Sequence, residues 1–230
     1  MSPEPGARKA REPRSIVQQA VAQLEGEPSG YGEFLQEFAR ARTGIDRGPE
    51  EGGAHLTKGT ASKVVRKLEA HLLIVREQKM LRVLDMERLM SALQREYRPS
   101  QGRRLAGKAG NVTAMFEARS SVKGLRAVVT GACSGSHYGV LSGPDMLSVY
   151  VSDLDAAVRM SGLKDTHVFP NLELIEERSD VVYFDGRQDE GRLWASPVQT
   201  WLELAGGGPR ERVGAEALAL ALRTGHVGDE

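Results

Sequence analysis

The chain reads as an α/β protein, α+β overall, with an N-terminal winged helix-turn-helix followed by a mixed α/β C-terminal domain. Three observations predict this. An amphipathic helix beginning at Thr60 is followed by two short strand-like runs and then by another helix. Beyond about residue 110, strand-like and helical runs are interspersed. The zero net charge over 230 residues hides two unlike halves: residues 1–110 hold 20 Lys/Arg against 14 Asp/Glu, and residues 111–230 hold 11 against 17. A basic half attracts a phosphate backbone, while an acidic half stays off it and is free to meet another partner.

Residues 1–14 are Pro, Gly and charge with almost no apolar content, the composition of a disordered arm. The first domain then spans residues 15–98. Ser15 is placed to cap a helix whose face is Ile16, Val17, Ala20, Val21 and Leu24. A second helix is predicted from Tyr31 to Thr43, stopped by Gly44, and the Gly/Pro/Glu-rich stretch from Asp46 to Gly53 is a loop.

From Thr60, the residues Ala61, Val64, Val65, Leu68 and Leu72 repeat at helical spacing. Thr60, Ser62, Lys63, Arg66 and Lys67 are left on or near the opposite face. Strand-like runs follow at Leu73 to Arg76 and Met80 to Leu84, joined by the polar turn Glu77-Gln78-Lys79, and Asp85 suits the cap of a helix to about Tyr97. Helix, hairpin, helix is the order of a winged helix-turn-helix, in which a cationic helix enters the major groove and the hairpin lies on the backbone. The candidate DNA-contacting residues are therefore Lys58, Thr60, Ser62, Lys63, Arg66 and Lys67, with Lys79 at the hairpin tip. Arg103 and Arg104 join them from residues 99–111, which read as a basic Gly/Pro/Ser linker.

The second domain, residues 112–224, is predicted to hold a helix around Val112 to Val122 and strands at Leu125 to Thr130 and Met146 to Val151. A helix capped by Asp153, strands at Leu172 to Ile175 and Val181 to Phe184, and helices at Pro197 to Leu204 and Val213 to Leu222 follow. Residues 225–230 are a tail.

Two patterns bear on catalysis. Gly131-Ala132-Cys133-Ser134-Gly135 matches a nucleophile elbow with Cys in place of Ser and His137 nearby, but the Gly/Ser-rich run shows no helical pattern, so a structural turn is expected. Gly135-Ser136 with Asp153 and Asp155 resembles the phosphate grip and paired metal carboxylates of a nucleotidyltransferase, the alternative enzymatic reading. The helical spacing after Asp153 makes it a cap and turns the two carboxylates apart. The five histidines, at 55, 71, 137, 167 and 226, lack paired ligand spacing, and Cys133 is alone, so no metal, cofactor or internal disulfide is expected. No apolar run approaches the roughly 20 residues of a membrane span, and no h-region follows the N-terminal basic residues. A cytoplasmic, non-enzymatic protein is expected.

The run SPVQTWLELAGGGPRERVGAEAL from Ser196 resembles the C-terminal signature of the AbiEi family, antitoxins of type IV toxin–antitoxin systems. Ser196, Pro197, Gln199, Leu204, Gly207, Gly208, Arg210, Ala215, Glu216 and Leu218 match, whereas Glu203 stands where the family usually has Asp. Thr130-Gly131, Tyr150-Val151 and Leu56 to Val75 look like the same family. The resemblance implies a DNA-binding transcriptional regulator whose winged helix represses its own promoter. Its second domain would oppose a nucleotidyltransferase-type toxin acting in the same operon. Some AbiEi-like proteins look like stand-alone transcription factors, which is a further alternative.

Overall fold

A computed structural model of the chain describes residues 65–66, 68–77, 80–112, 116, 125–166 and 168–224. The arm at 1–14, the helices expected after Ser15 and Tyr31, the loop at 46–53, most of the helix expected at 112–122 and the tail at 225–230 lie outside the described residues.

The helix that contains Val65, Arg66 and residues 68–70 ends in a turn where Leu72 takes φ +55°. Its N–H donates to the Glu69 carbonyl and that of Leu73 to the Leu68 carbonyl, both at 2.9 Å, the paired bonds that close a helix C-terminus. Strands β1 (Ile74–Glu77) and β2 (Met80–Val83) pair antiparallel, Ile74 opposite Val83, as the sequence predicts. Helix α1 (Met86–Glu96) begins at Asp85, whose carboxylate accepts from the Arg88 N–H at 2.9 Å.

The expected linker contributes a strand. Residues Arg104–Lys108 form β3, which lies between two others in a seven-stranded mixed sheet of order β6-β3-β7-β5-β4-β9-β8. The remaining strands are β4 (Ala127–Val129), β5 (Leu147–Val151), β6 (Lys164–Asp165), β7 (Leu172–Glu176), β8 (Arg187–Asp189) and β9 (Arg192–Trp194). β5–β7 and β4–β9 are parallel; β3–β6, β3–β7, β4–β5 and β8–β9 are antiparallel. Loop composition hides β3 because Gly107 sits against its neighbour: a Cβ there would lie 2.2 Å from the Lys164 carbonyl oxygen.

Two further expectations are corrected. The Gly/Ser-rich run after β4 is not a turn but helix α2 (Gly131–His137). Its residues are small because it packs tightly, with a Cβ at Gly135 falling 3.0 Å from Leu141 and 3.1 Å from Leu204, so an ordinary amphipathic pattern has no place there. The Val181 to Phe184 strand is a 3-10 turn over Asp180–Tyr183, started by the Ser179 hydroxyl accepting from the Val181 N–H at 3.3 Å. Helices α3 (Leu154–Ser161), α4 (Pro197–Ala205) and α5 (Pro209–Thr224) complete the described elements.

One apolar core joins the two halves. Val65, Leu68, Leu73, Ile74, Leu89, Met90 and Leu93 from the first half are buried in a single cluster with Val198, Trp201, Leu202 and Leu204 of α4 and Ala215, Leu218 and Leu222 of α5. Burying a large aliphatic side chain contributes about 1.5–3 kcal/mol, so these contacts tie hairpin and α1 firmly to the C-terminal helices. A second cluster, including Val129, Val149, Val151, Leu172 and Leu174, fills one face of the sheet. Among the described residues, no helix is long and apolar enough to cross a membrane.

Candidate nucleic-acid interface

The first site follows from what the shared core leaves outside. Val65 and Leu68 are buried on the helix before the hairpin, and Arg66 between them is exposed. The apolar stripe thus faces the core and the neighbouring position faces solvent, as the periodicity requires. Arg76 of β1 pairs with Glu69 on the same helix at 3.5 Å, and Arg88 of α1 donates to the His71 carbonyl at 3.4 Å. These contacts stitch hairpin, helix end and α1 into one small unit. Lys58, Thr60, Ser62, Lys63, Lys67 and Lys79 lie outside the residues whose placement is described.

Arg103 and Arg104 are described, and both are engaged with carboxylates. The Arg103 guanidinium donates to Glu176 at 2.8 Å through Nε and 3.2 Å through Nη2, and to Asp155 at 3.3 Å. Its hydrogen bonds hold the Glu176 carboxyl down at about 2, against an ordinary 4.5. Arg104 pairs with Glu173 at 3.5 Å and donates to the Ser100 carbonyl at 3.3 Å. An arginine already forked onto carboxylates has little capacity left for phosphate.

A buried polar cluster joins elements far apart in sequence. Glu203 of α4 accepts through Oε2 from the Thr130 hydroxyl and, at 2.7 Å, from the Gly131 N–H. The helix α2 thereby receives its N-terminal cap from another helix, since Thr130 makes no side-chain cap of its own. Gly131 stands at φ +61°, a conformation that a side chain would strain. The other carboxylate oxygen accepts from Gln199 Nε2 at 2.7 Å, and that same amide nitrogen lies 3.5 Å from the Tyr97 hydroxyl at the end of α1. Tyr150 of β5 lies beside both Glu203 and Tyr97. Burial pushes the Glu203 carboxyl up, opposed by the bonds from Thr130 and Gln199, and pushes both tyrosine hydroxyls up as well. Gln199 and Glu203 were within view of a sequence reader as an i, i+4 pair on a helix; Thr130, 73 residues away from Glu203, was not.

The residues of the two enzymatic patterns are placed as follows. Cys133 does stand on a strand–helix junction, but it is 6% exposed, donates to the Met146 carbonyl at 3.3 Å and receives the Ser148 N–H at 3.4 Å. Burial pushes its thiol up, away from the reactive thiolate. His137 stacks on Trp194 with ring centroids 4.3 Å apart, and burial lowers its basicity despite Asp189 at 3.7 Å. Asp153 caps α3 by accepting from the Ala156 N–H at 2.8 Å, while Asp155, one residue inside the helix, turns to Arg103. Gly135 is buried in α2 against Leu141 and Leu204, with Ser136 next to it on that helix.

Comparison with protein-family models, with curated proteins and with solved structures finds no match.

Proposed function

We propose that the chain is a DNA-binding transcriptional regulator, with a winged helix-turn-helix in its first half and an antitoxin-type domain in its second. The observation that carries this reading is the exposed Arg66 between buried Val65 and Leu68, on a helix that runs directly into the β1–β2 hairpin and α1. The segment just ahead of it, from Lys58 to Lys63, adds two lysines and short polar residues, the side chains that contact phosphates and base edges. The +6 charge of residues 1–110 works in the same direction by drawing in duplex DNA.

The antitoxin assignment rests on the resemblance from Ser196 to Leu218, and its partner is a nucleotidyltransferase-type toxin acting in the same operon. The chain acts by binding rather than by catalysis: Cys133 is buried and bonded, Asp153 is committed to a helix cap, and Asp155 to Arg103. Fluorescence anisotropy of the full chain on its own promoter, against a scrambled duplex at physiological salt, tests the reading. Specific binding is expected to be about a thousandfold tighter or more. Equal affinity for both duplexes removes it.

A further inference from the structure

Helix α5 is apolar on two faces, and the shared core takes up only one of them. Gly214, Ala215, Leu218 and Leu222 are buried on the inner face. On the outer face Val213, Ala217, Leu220 and Thr224 are exposed, Val213 by 67% and Leu220 by 58%. At 3.6 residues per turn these four positions fall within about 60° of one another, a straight seam along the helix. Their spacing is the a/d repeat of a coiled coil, whereas a helix face meant for solvent carries polar residues there. The charges stand beside the seam instead, Glu216 and Arg223 on one flank, both exposed. Glu216 makes no hydrogen bond or ion pair among the described residues. Arg223 uses only its Nε, on the Ala219 carbonyl at 3.3 Å.

We infer that this face is a docking surface for a second copy of the chain, packed as an antiparallel pair of α5 helices about a two-fold axis. Ala217 then lies against Leu220 of the second copy and Val213 against Thr224 of the second copy, and the symmetry makes each contact twice. The Thr224 hydroxyl is already bonded to the Leu220 carbonyl at 3.1 Å, so it enters the seam without an orphan donor. On the flank Glu216 meets Arg223 of the second copy, again twice.

Those charges fix both direction and register. Sliding the pair by one heptad sets Glu216 against its own copy in one sense and Arg223 against its own copy in the other, and like charges repel. In a parallel pair the flank positions of Glu216 and Arg223 face those of Gly214 and Ala221, so neither charge finds a partner. Four layers make a small seam beside the roughly 1,200–2,000 Å² of a standard interface, so the association is reversible and concentration-dependent. It goes beyond the DNA-binding reading and does not rest on it, since α5 presents this face whether or not the first half holds a duplex.

Sedimentation equilibrium of the full chain, from about 1 µM to about 500 µM, tests the inference. A monomer–dimer equilibrium is expected, weakened about tenfold or more by Leu220→Glu. Glu216→Arg and Arg223→Glu should each weaken self-association to a similar degree, yet the two variants should associate when mixed, because the mixture restores both opposite-charge contacts. All three positions are exposed, so the melting midpoints should stay near that of the parent. A parent chain that is monomeric at the highest concentration, a dimer that Leu220→Glu leaves intact, or charge variants that do not associate on mixing would each overturn it.

Discussion

Arg103, at the entry to β3, clamps Glu176, at the end of β7, through two hydrogen bonds of 2.8 and 3.2 Å. The backbone brings them together as well, since the Glu176 N–H donates to the Arg103 carbonyl at 2.8 Å. At Gly102 a Cβ would overlap the Glu176 carbonyl oxygen, 1.7 Å away, so this junction requires glycine.

The clamp sets a pH dependence. Glu176 titrates at about 2 in the folded chain and near 4.5 when released, so the unfolded state binds the extra proton between those values. Stability from this group is fully present above about pH 4.5 and is lost as pH falls towards 2. Denaturant unfolding at a series of pH values should show a shallower acid slope for Arg103→Ala than for the parent chain. The same variant should leave the salt dependence of duplex binding unchanged, because this guanidinium is held by carboxylates. A slope reduced by about one unit would instead assign Arg103 to a phosphate.

Cys133 is expected to resist thiol reagents in the native chain. It is 6% exposed and hydrogen-bonded, and its thiol is pushed up by burial. Labelling with a chromogenic disulfide should be slow without denaturant and rapid in urea. Rapid native labelling would mean that the strand–helix junction opens.

The shared core predicts that the two halves unfold together. Leu89 of α1 is buried in the cluster that contains Leu202 and Leu218. Leu89→Ala should cost about 2–5 kcal/mol by denaturant melting. Trp194, in the sheet, should report the same shifted midpoint as far-UV circular dichroism. Two separate midpoints, with only the first moved, would show that the halves are independent.

Much of this fold could be read from the chain because local signals agree with the packing. Asp85 and Asp153 are caps in both, and the apolar runs at Ile74, Leu147 and Leu172 are strands that bury Ile74, Val149 and Leu172. What escaped was decided by contacts distant in sequence. β3 reads as a linker because it is short and holds Gly107, whose purpose is visible only once Lys164 lies beside it. The α2 helix carries no amphipathic pattern, since Leu141 and Leu204 demand small residues there. β8 and β9 are three residues each, turned by Glu190 and Gly191 at φ +46° and +74°. Gly191 alone marks a turn there, since a two-residue hairpin loop ordinarily carries Asn, Asp or Gly where Glu190 stands. Within the candidate interface, Arg66 was legible from periodicity, whereas the carboxylate partners of Arg103 lie 52 and 73 residues away.

The helix that ends at Leu72 is the recognition element in the proposed function, and its exposed face decides the matter. Arg66 contributes charge without packing, so Arg66→Ala should leave the melting midpoint nearly unchanged. Salt-dependent anisotropy on the chain's own promoter, run on Lys63→Ala and Arg66→Ala beside the parent, is the most direct measurement. Arg66→Ala is expected to weaken all duplexes alike and to lower the salt slope by about one, while Lys63→Ala costs roughly 1–3 kcal/mol on the cognate site only. Folded variants that both keep parental affinity and slope would contradict the assignment of this helix to DNA.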